Sequence, residues 1–281
     1  GLATAAVLTG GIFNVFGDWF CVFVLDLGVF GAGLATATGA VISLAVMCSH
    51  FFSRKCTLHL VPVQKLFKKL GEIAVTGFSS FFVDVAMGIL TVLFNRQIMK
   101  YLDSDALAVY ATVINISTFV QCCAYSVGQA AQPILSTNYG ANNAARIRQA
   151  LHLALGTSMV FAAFWTGLSE LFPQLYIHIF MRPSAEILAI APAIIRRYSV
   201  SFVLLPVNIF STYYFQSILH PKDSFIVSIA RGLLVSGLLI FALPALFAPE
   251  AIWWAMPLTE LVTSVYAAYA MRKSLTGLCT N

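Results

Sequence analysis

Apolar runs long enough to cross a bilayer recur down the whole chain, and no other feature limits the fold as strongly. They cover residues 3–25, 29–51, 73–95, 105–137, 147–171, 184–217, 223–247 and 250–272. A membrane helix needs about 20 consecutive apolar residues at a rise of about 1.5 Å each, and every run meets that length. In hydrocarbon each backbone N–H and C=O must be paired within the protein. A span is therefore a helix or a strand of a closed barrel. Barrel strands alternate in polarity over about ten residues, and these runs do not. Charged residues make up 10% of the chain, well below the roughly 25% of a soluble domain. The mean hydropathy is +0.87. The expected fold is an all-α, polytopic transmembrane bundle of eight spans.

The loops carry the orientation signal. Residues 53–71 hold Arg54, Lys55, Lys65, Lys68 and Lys69 with no acid before Glu72. Arg146 and Arg148, then Lys222, then Arg272 and Lys273 mark the next loops on that side. The alternate loops are acidic or balanced: Asp26; Arg96 and Lys100 against Asp103 and Asp105; Arg182 against Glu186; Glu250. The positive-inside rule puts the basic loops and both ends of the chain in the cytoplasm, an arrangement that an even number of spans requires. The net charge of +5 is thus an orientation signal, with no footprint for nucleic acid. Residues 53–71, with Pro62 and an amphipathic 63–70, read as a linker lying along the cytoplasmic surface. The first residue is Gly1 and a span follows almost at once, so a chain cut from something longer is expected. Residues 229–273 faintly echo 10–54: an apolar span, a short outer turn, a small-residue span and a closing basic pair. Such repeats point to a transporter with its site between two halves.

Polar side chains inside the spans carry the chemistry. Asn14 and Asp18 are four apart and leave one face of a helix. Counted from the turn near 26–29, Asp18 and Thr36 both fall roughly 10–12 Å below one membrane surface, on neighbouring antiparallel helices. Carboxylate, amide and hydroxyl oxygens at one depth suit a small hard cation such as Na⁺, or a proton. Asn14 and Thr36 alone would serve equally as an interhelical hydrogen bond. An intramembrane aspartate reads as functional by default, because a charge at that depth costs several kcal/mol. Asp84 stands near the middle of its span after Thr76, Ser79 and Ser80, and Glu260 near the middle of the last. Either could carry a proton or face a cationic ligand. Their alternative is a buried pair with an arginine such as Arg231, which a simple count of depth sets apart from Glu260. Pro133, Pro192 and Pro206 are expected kink sites in the two longest spans. The six cysteines form no CxxC pair and the five histidines no HxxxH or HExxH, so no disulfide, metal centre or cofactor is expected.

Gly128-Gln-Ala-Ala-Gln-Pro133 ends a long helix, Asn138 to Asn143 make a turn, and Arg146 and Arg148 open the next helix. This stretch resembles the second-repeat signature of the multidrug and toxic compound extrusion (MATE) family: G-Q-A-x-x-P, then N-x-G-A and a basic helix start. Asn14-x-x-x-Asp18 with Gly28-x-x-Gly31-Ala-x-x-Ala-Thr36 resembles the fifth and sixth helices of that family. Tyr214-Phe-Gln216, Arg231 and Trp254-Ala-x-Pro-Leu-x-Glu260 resemble its tenth to twelfth. The resemblance implies helix five onward of a twelve-helix transporter. Residues 1–52 would end the first lobe, 53–72 would link, and 73–281 would form the second. It implies that Asn14, Asp18 and Thr36 bind the coupling cation together with an aspartate on a first helix that this chain lacks. Asp84 takes the place of an acidic residue on helix seven, where Glu is more familiar, and with Glu260 would face the cavity of the second lobe. The implied function is a monomeric plasma-membrane antiporter exporting organic cations or amphipathic drugs in exchange for Na⁺ or H⁺. The alternative is a flippase for lipids or lipid-linked sugars, disfavoured by the few basic residues in spans (Arg196, Arg197, Arg231). A membrane-embedded enzyme is a third class, but no HExxH, GxSxG or paired catalytic motif lies within a span.

Overall fold

The computed structural model describes the backbone of residues 1–53, 56 and 66–280, and all of their side chains except those of 72–84 and 277–280. Among the described residues every regular element is helical. Six stretches are long and apolar enough to cross a membrane: Leu2–Val24, Gly28–Phe52, Ser104–Gly140, Ala144–Leu171, Ala185–Ser217 and Pro221–Leu246. The other two expected spans lie in helices Leu66–Tyr101 and Ala255–Thr280, of 36 and 26 residues. Both exceed the length a bilayer requires. The chain falls into two compact units, Gly1–Lys69 and Leu70–Asn281.

The first unit is a helical hairpin. Helix α1 (Leu2–Trp19) runs on through a π-helical turn, Phe20–Val24, and α2 (Gly28–Cys48) returns. Asp26 and Gly28 turn the chain between them with φ of 52° and 53°, a left-handed conformation that aspartate and glycine tolerate best. Small residues set the helix spacing. A Cβ on Gly10 would lie 2.6 Å from the carbonyl oxygen of Gly39, and one on Gly39 would lie 2.9 Å from that of Gly10. The two backbones therefore touch, as in small-residue membrane interfaces. Ser43 closes the contact by donating to Ala6 O at 2.9 Å. Phe16, Phe23 and Phe30 point outward from the hairpin, as suits hydrocarbon.

Helix α3 (Leu66–Tyr101) begins within the stretch expected as a surface linker, of which residues 54, 55 and 57–65 lie outside the described residues, and most of the helix belongs to the second unit. Asp103 caps α4 (Ser104–Gly140) by accepting from Ala106 N at 2.8 Å. Asn143 caps α5 (Ala144–Leu171) in the same way through Arg146 N. Short α6 (Pro173–Phe180) begins at a proline, and Ser184 caps α7 (Ala185–Ser199). These caps satisfy amide donors that a helix start leaves open. The prolines act unequally. Pro133 and Pro192 lie inside uninterrupted helices, whereas the chain breaks into a 3₁₀ turn at Val200–Val203 before α8 (Leu205–Ser217), which has Pro206 in its first turn. Proline lacks the N–H that would continue the ladder, and the first turn of a new helix is where that loss is harmless. A second interruption was not expected from the sequence. Between α9 (Pro221–Ile229) and α10 (Val235–Leu246) the span widens into a π-helical turn, Ala230–Leu234. A 3₁₀ turn, Pro249–Trp254, leads into α11 (Ala255–Thr280).

Two clusters hold this unit together. Toward one end, Phe94 stacks on Tyr110 with ring centroids 4.5 Å apart, and Tyr198 and Trp253 close around them. Toward the other, Leu135, Ile147, Leu151, Phe210 and Phe215 interlock α4, α5 and α8. Gly128 permits the closest approach. A Cβ there would fall 2.4 Å from the ring of Tyr213 on α8.

Candidate functional site

Within the hairpin the Gly10–Gly39 contact brings the polar face of α1 onto α2. Asn14 is one turn above Gly10, and its Nδ2 donates to Thr36 Oγ1 at 3.2 Å. Thr36 in turn donates to Ala32 O at 3.0 Å. Asp18 follows one turn further along the same face of α1. Its Oδ1 is buried and meets no donor among the described residues. A buried carboxylate oxygen with no partner is costly, and natural structures rarely leave one without a proton, water or ion. Asn14 and Thr36 thus meet as a pair, and Asp18 brings an oxygen still able to take a ligand.

The second unit holds a different arrangement. Glu260 is fully buried on α11. Arg231, in the π-helical turn, donates through Nε to Glu260 Oε1 at 2.6 Å. Asn208 on α8, also fully buried, donates through Nδ2 to Glu260 Oε2 at 2.7 Å and to the Glu260 carbonyl at 2.8 Å. This overturns the depth argument that separated Glu260 from Arg231. A difference of a few residues along antiparallel helices is only a few ångströms, and a long arginine side chain spans it. The π-helical turn carries the arginine. With both oxygens engaged, Glu260 ties three segments of the bundle together. Asn208 is the partner that sequence reasoning missed; its signal was an amide two residues after Pro206, in the apolar stretch 202–210. The Asp84 side chain lies outside the described residues.

A third feature runs along α4. Asn115, Thr118, Cys122, Tyr125, Gln129 and Ser136 are all exposed. Their spacing by threes and fours places them on one stripe of the helix. Thr118 and Ser136 donate to carbonyls of their own helix at 2.9 and 3.2 Å. The amides of Asn115 and Gln129 carry donors and acceptors that lipid tails cannot meet, so this stripe calls for either water or another part of the protein. Tyr125 stands at its middle, with Tyr213 edge-on at 6.4 Å. The heptad-like polar spacing was present in the sequence, though it is masked there by the apolar residues between.

Several helices long and apolar enough to cross a membrane, with polar and charged side chains held inside them, are the mark of an integral multi-pass protein of the membrane-transporter class. The comparisons with known proteins make this specific. The sequence profile of the MatE family matches residues 80–241, more than half of the chain. The chain belongs to that family, whose members are transporters and not enzymes. Over 280 residues it is 22% identical to the multidrug export protein MepA of Staphylococcus saprophyticus, covering 98% of this chain and 61% of MepA. The chain therefore spans less than two thirds of that relative's length. Its fold matches a multidrug resistance MATE family transporter of the MOP superfamily, solved in an outward-facing conformation, with a TM-score of 0.87 at 20% identity; the match covers 99% of this chain and 63% of that one. It also matches a MOP superfamily transporter from Pyrococcus furiosus, with a TM-score of 0.86 at 19% identity, over 98% of this chain and 62% of that one.

Proposed function

We propose that this chain forms part of a secondary active antiporter that exports organic cations or amphipathic drugs by alternating access, driven by exchange for Na⁺ or H⁺. The observation that carries the reading is the unpartnered, buried Oδ1 of Asp18 beside the Asn14–Thr36 contact. It is an anionic oxygen inside a span, next to two further oxygen-bearing side chains, and the coupling ion would satisfy it. The ion must favour one arrangement of the transporter over another, because equal affinity for both would shift nothing. The exposed polar stripe on α4 supports a wet pathway along the second unit. The basic loops favour an orientation with the 140–148 turn and both chain ends in the cytoplasm of a plasma-membrane protein.

A flippase for lipid-linked sugars is disfavoured by the few basic residues in the spans, Arg196, Arg197 and Arg231, two of which are already engaged. Arg231 is held by Glu260, and Arg196 donates through Nε to Glu170 O. Everted vesicles carrying the full-length protein test the proposal. Asp18→Asn is expected to abolish uptake of a fluorescent organic cation under an imposed Na⁺ or H⁺ gradient, while wild type responds to one of the two. Wild-type rates in the variant would refute the role of Asp18.

A further inference from the structure

Between α4 and α5 lies a groove of about 540 Å³ that none of the features above uses. It exists because the residues facing across it are small: Ala130 and Ala131 on α4, Ala150 and Ala154 on α5. Ile134 and Leu153 form its outer walls, both more than half exposed. The groove runs from Asn138 and Arg146 at the turn between the helices to Ser126 and Thr157. Twelve residues of helix span about 18 Å. One leaflet of hydrocarbon is about 15 Å deep. The groove therefore covers the depth of a single leaflet, with its cationic end at the headgroup level and its far end near the midplane.

The polar residues in it are turned away from a ligand along most of that length. Ser126 donates to Cys122 O at 2.8 Å, Thr157 to Leu153 O at 2.9 Å, and Asn138 to Ile134 O at 2.8 Å. Ser126 and Thr157 thus spend their one hydrogen on their own helix, and the lining along that length becomes compatible with an alkyl chain; Asn138 keeps a second N–H at the polar end. At the open end the charge is uncompensated. No acidic residue lines the groove. Among the described residues the Arg146 guanidinium has no carboxylate partner. Gln149, one turn further along α5, can add an amide donor.

We infer that this groove is a binding site for an anionic phospholipid, with one acyl chain lying between α4 and α5 and the phosphate held by Arg146. A groove with one cation, no carboxylate and an alkyl-compatible lining selects an anionic amphiphile over a cationic drug. The orientation proposed above puts this end in the cytoplasmic leaflet, where anionic lipids concentrate. The binding itself does not depend on that orientation.

Native mass spectrometry of the full-length protein in mild detergent, titrated with phosphatidylglycerol or phosphatidylcholine, tests the site. Wild type is expected to retain one phosphatidylglycerol in preference to phosphatidylcholine. Arg146→Gln should weaken retention about fivefold, the size of one cationic contact at a membrane surface. Arg148→Gln removes the same charge from outside the groove and should not. Ala130→Phe, at an exposed position, fills the groove and should abolish retention without disturbing the fold. Equal retention of both lipids, or retention that survives Ala130→Phe, overturns the assignment. Displacement of the lipid by tetraphenylphosphonium overturns it too, by giving the groove to transport substrate. None of these readouts uses a gradient, so the antiport reading and the lipid site can fail separately.

Discussion

A carboxylate with no exposed surface is tolerable only if something cancels its charge, and Glu260 meets two partners that do. The Arg231 side chain is 12% exposed while that of Glu260 is 0% exposed, so most of the pair's hydration is lost. Such pairs contribute little against an apolar alternative, but removing one member leaves a bare charge and costs about 3–5 kcal/mol. Arg231→Met and Glu260→Leu should each lower the midpoint of thermal unfolding in detergent markedly. The double variant should be far less affected than the sum of the two. Additive losses would show that the pair is not an energetic unit. The sequence offered both residues and both readings of them, pair or cavity acid. It could not choose between them, because the choice rests on a side-chain reach of a few ångströms and on a π-helical turn that changes the direction of Arg231. The position of Asp18 on α1 was legible for the opposite reason. Its separation from Asn14 is fixed by helix periodicity alone, and the turn at Asp26 and Gly28 fell where the apolar run broke.

At the scale of elements, the helices followed from apolar length, and the structure fixes their starts at Asp103, Asn143 and Ser184, each of which accepts from an amide three residues on. Their interruptions did not follow. Proline marked one break correctly at Pro206 but left Pro133 and Pro192 inside continuous helices, since a membrane helix tolerates a lost backbone bond when neighbours pack around it. The π-helical turns at Phe20–Val24 and Ala230–Leu234 contain no proline at all, so composition does not record them. The helix contacts were written in glycine. In the hairpin, Gly10→Ala would set a methyl 2.0 Å from Ser43 Oγ and 2.6 Å from Gly39 O. The hydroxyl can rotate away and the backbone oxygen cannot, so the helices must part and the Asn14–Thr36 bond with them. A loss of about 1–3 kcal/mol is expected, typical of overpacking, read as a lower midpoint of thermal aggregation. Adding Ser43→Ala should not restore it. Full recovery in that double variant would place the clash on the side chain and not between the backbones.

For the whole molecule, the decisive question is what the exposed stripe of α4 meets. Exposure has two meanings in a membrane bundle, and residue type separates them. Phe164 on α5 is 58% exposed and purely apolar, as a lipid-facing residue is. Asn115 and Gln129 are exposed on α4 while carrying amides that hydrocarbon cannot satisfy. An antiporter working by alternating access needs such a surface to face water on one side of the membrane and then the other, with its substrate resting against it. Single cysteines at Thr118, Gln129 and Phe164, placed in a full-length protein freed of its own cysteines, distinguish the two surfaces. A membrane-impermeant, charged methanethiosulfonate should react at 118 and 129, where water keeps the thiol ionisable, and not at 164, where lipid does not. A transported organic cation should slow labelling at 129, because both would occupy the same space beside Tyr125 and Tyr213. Equal labelling at all three positions would make the stripe ordinary surface. Protection at 164 alone would move the pathway to the other side of the bundle.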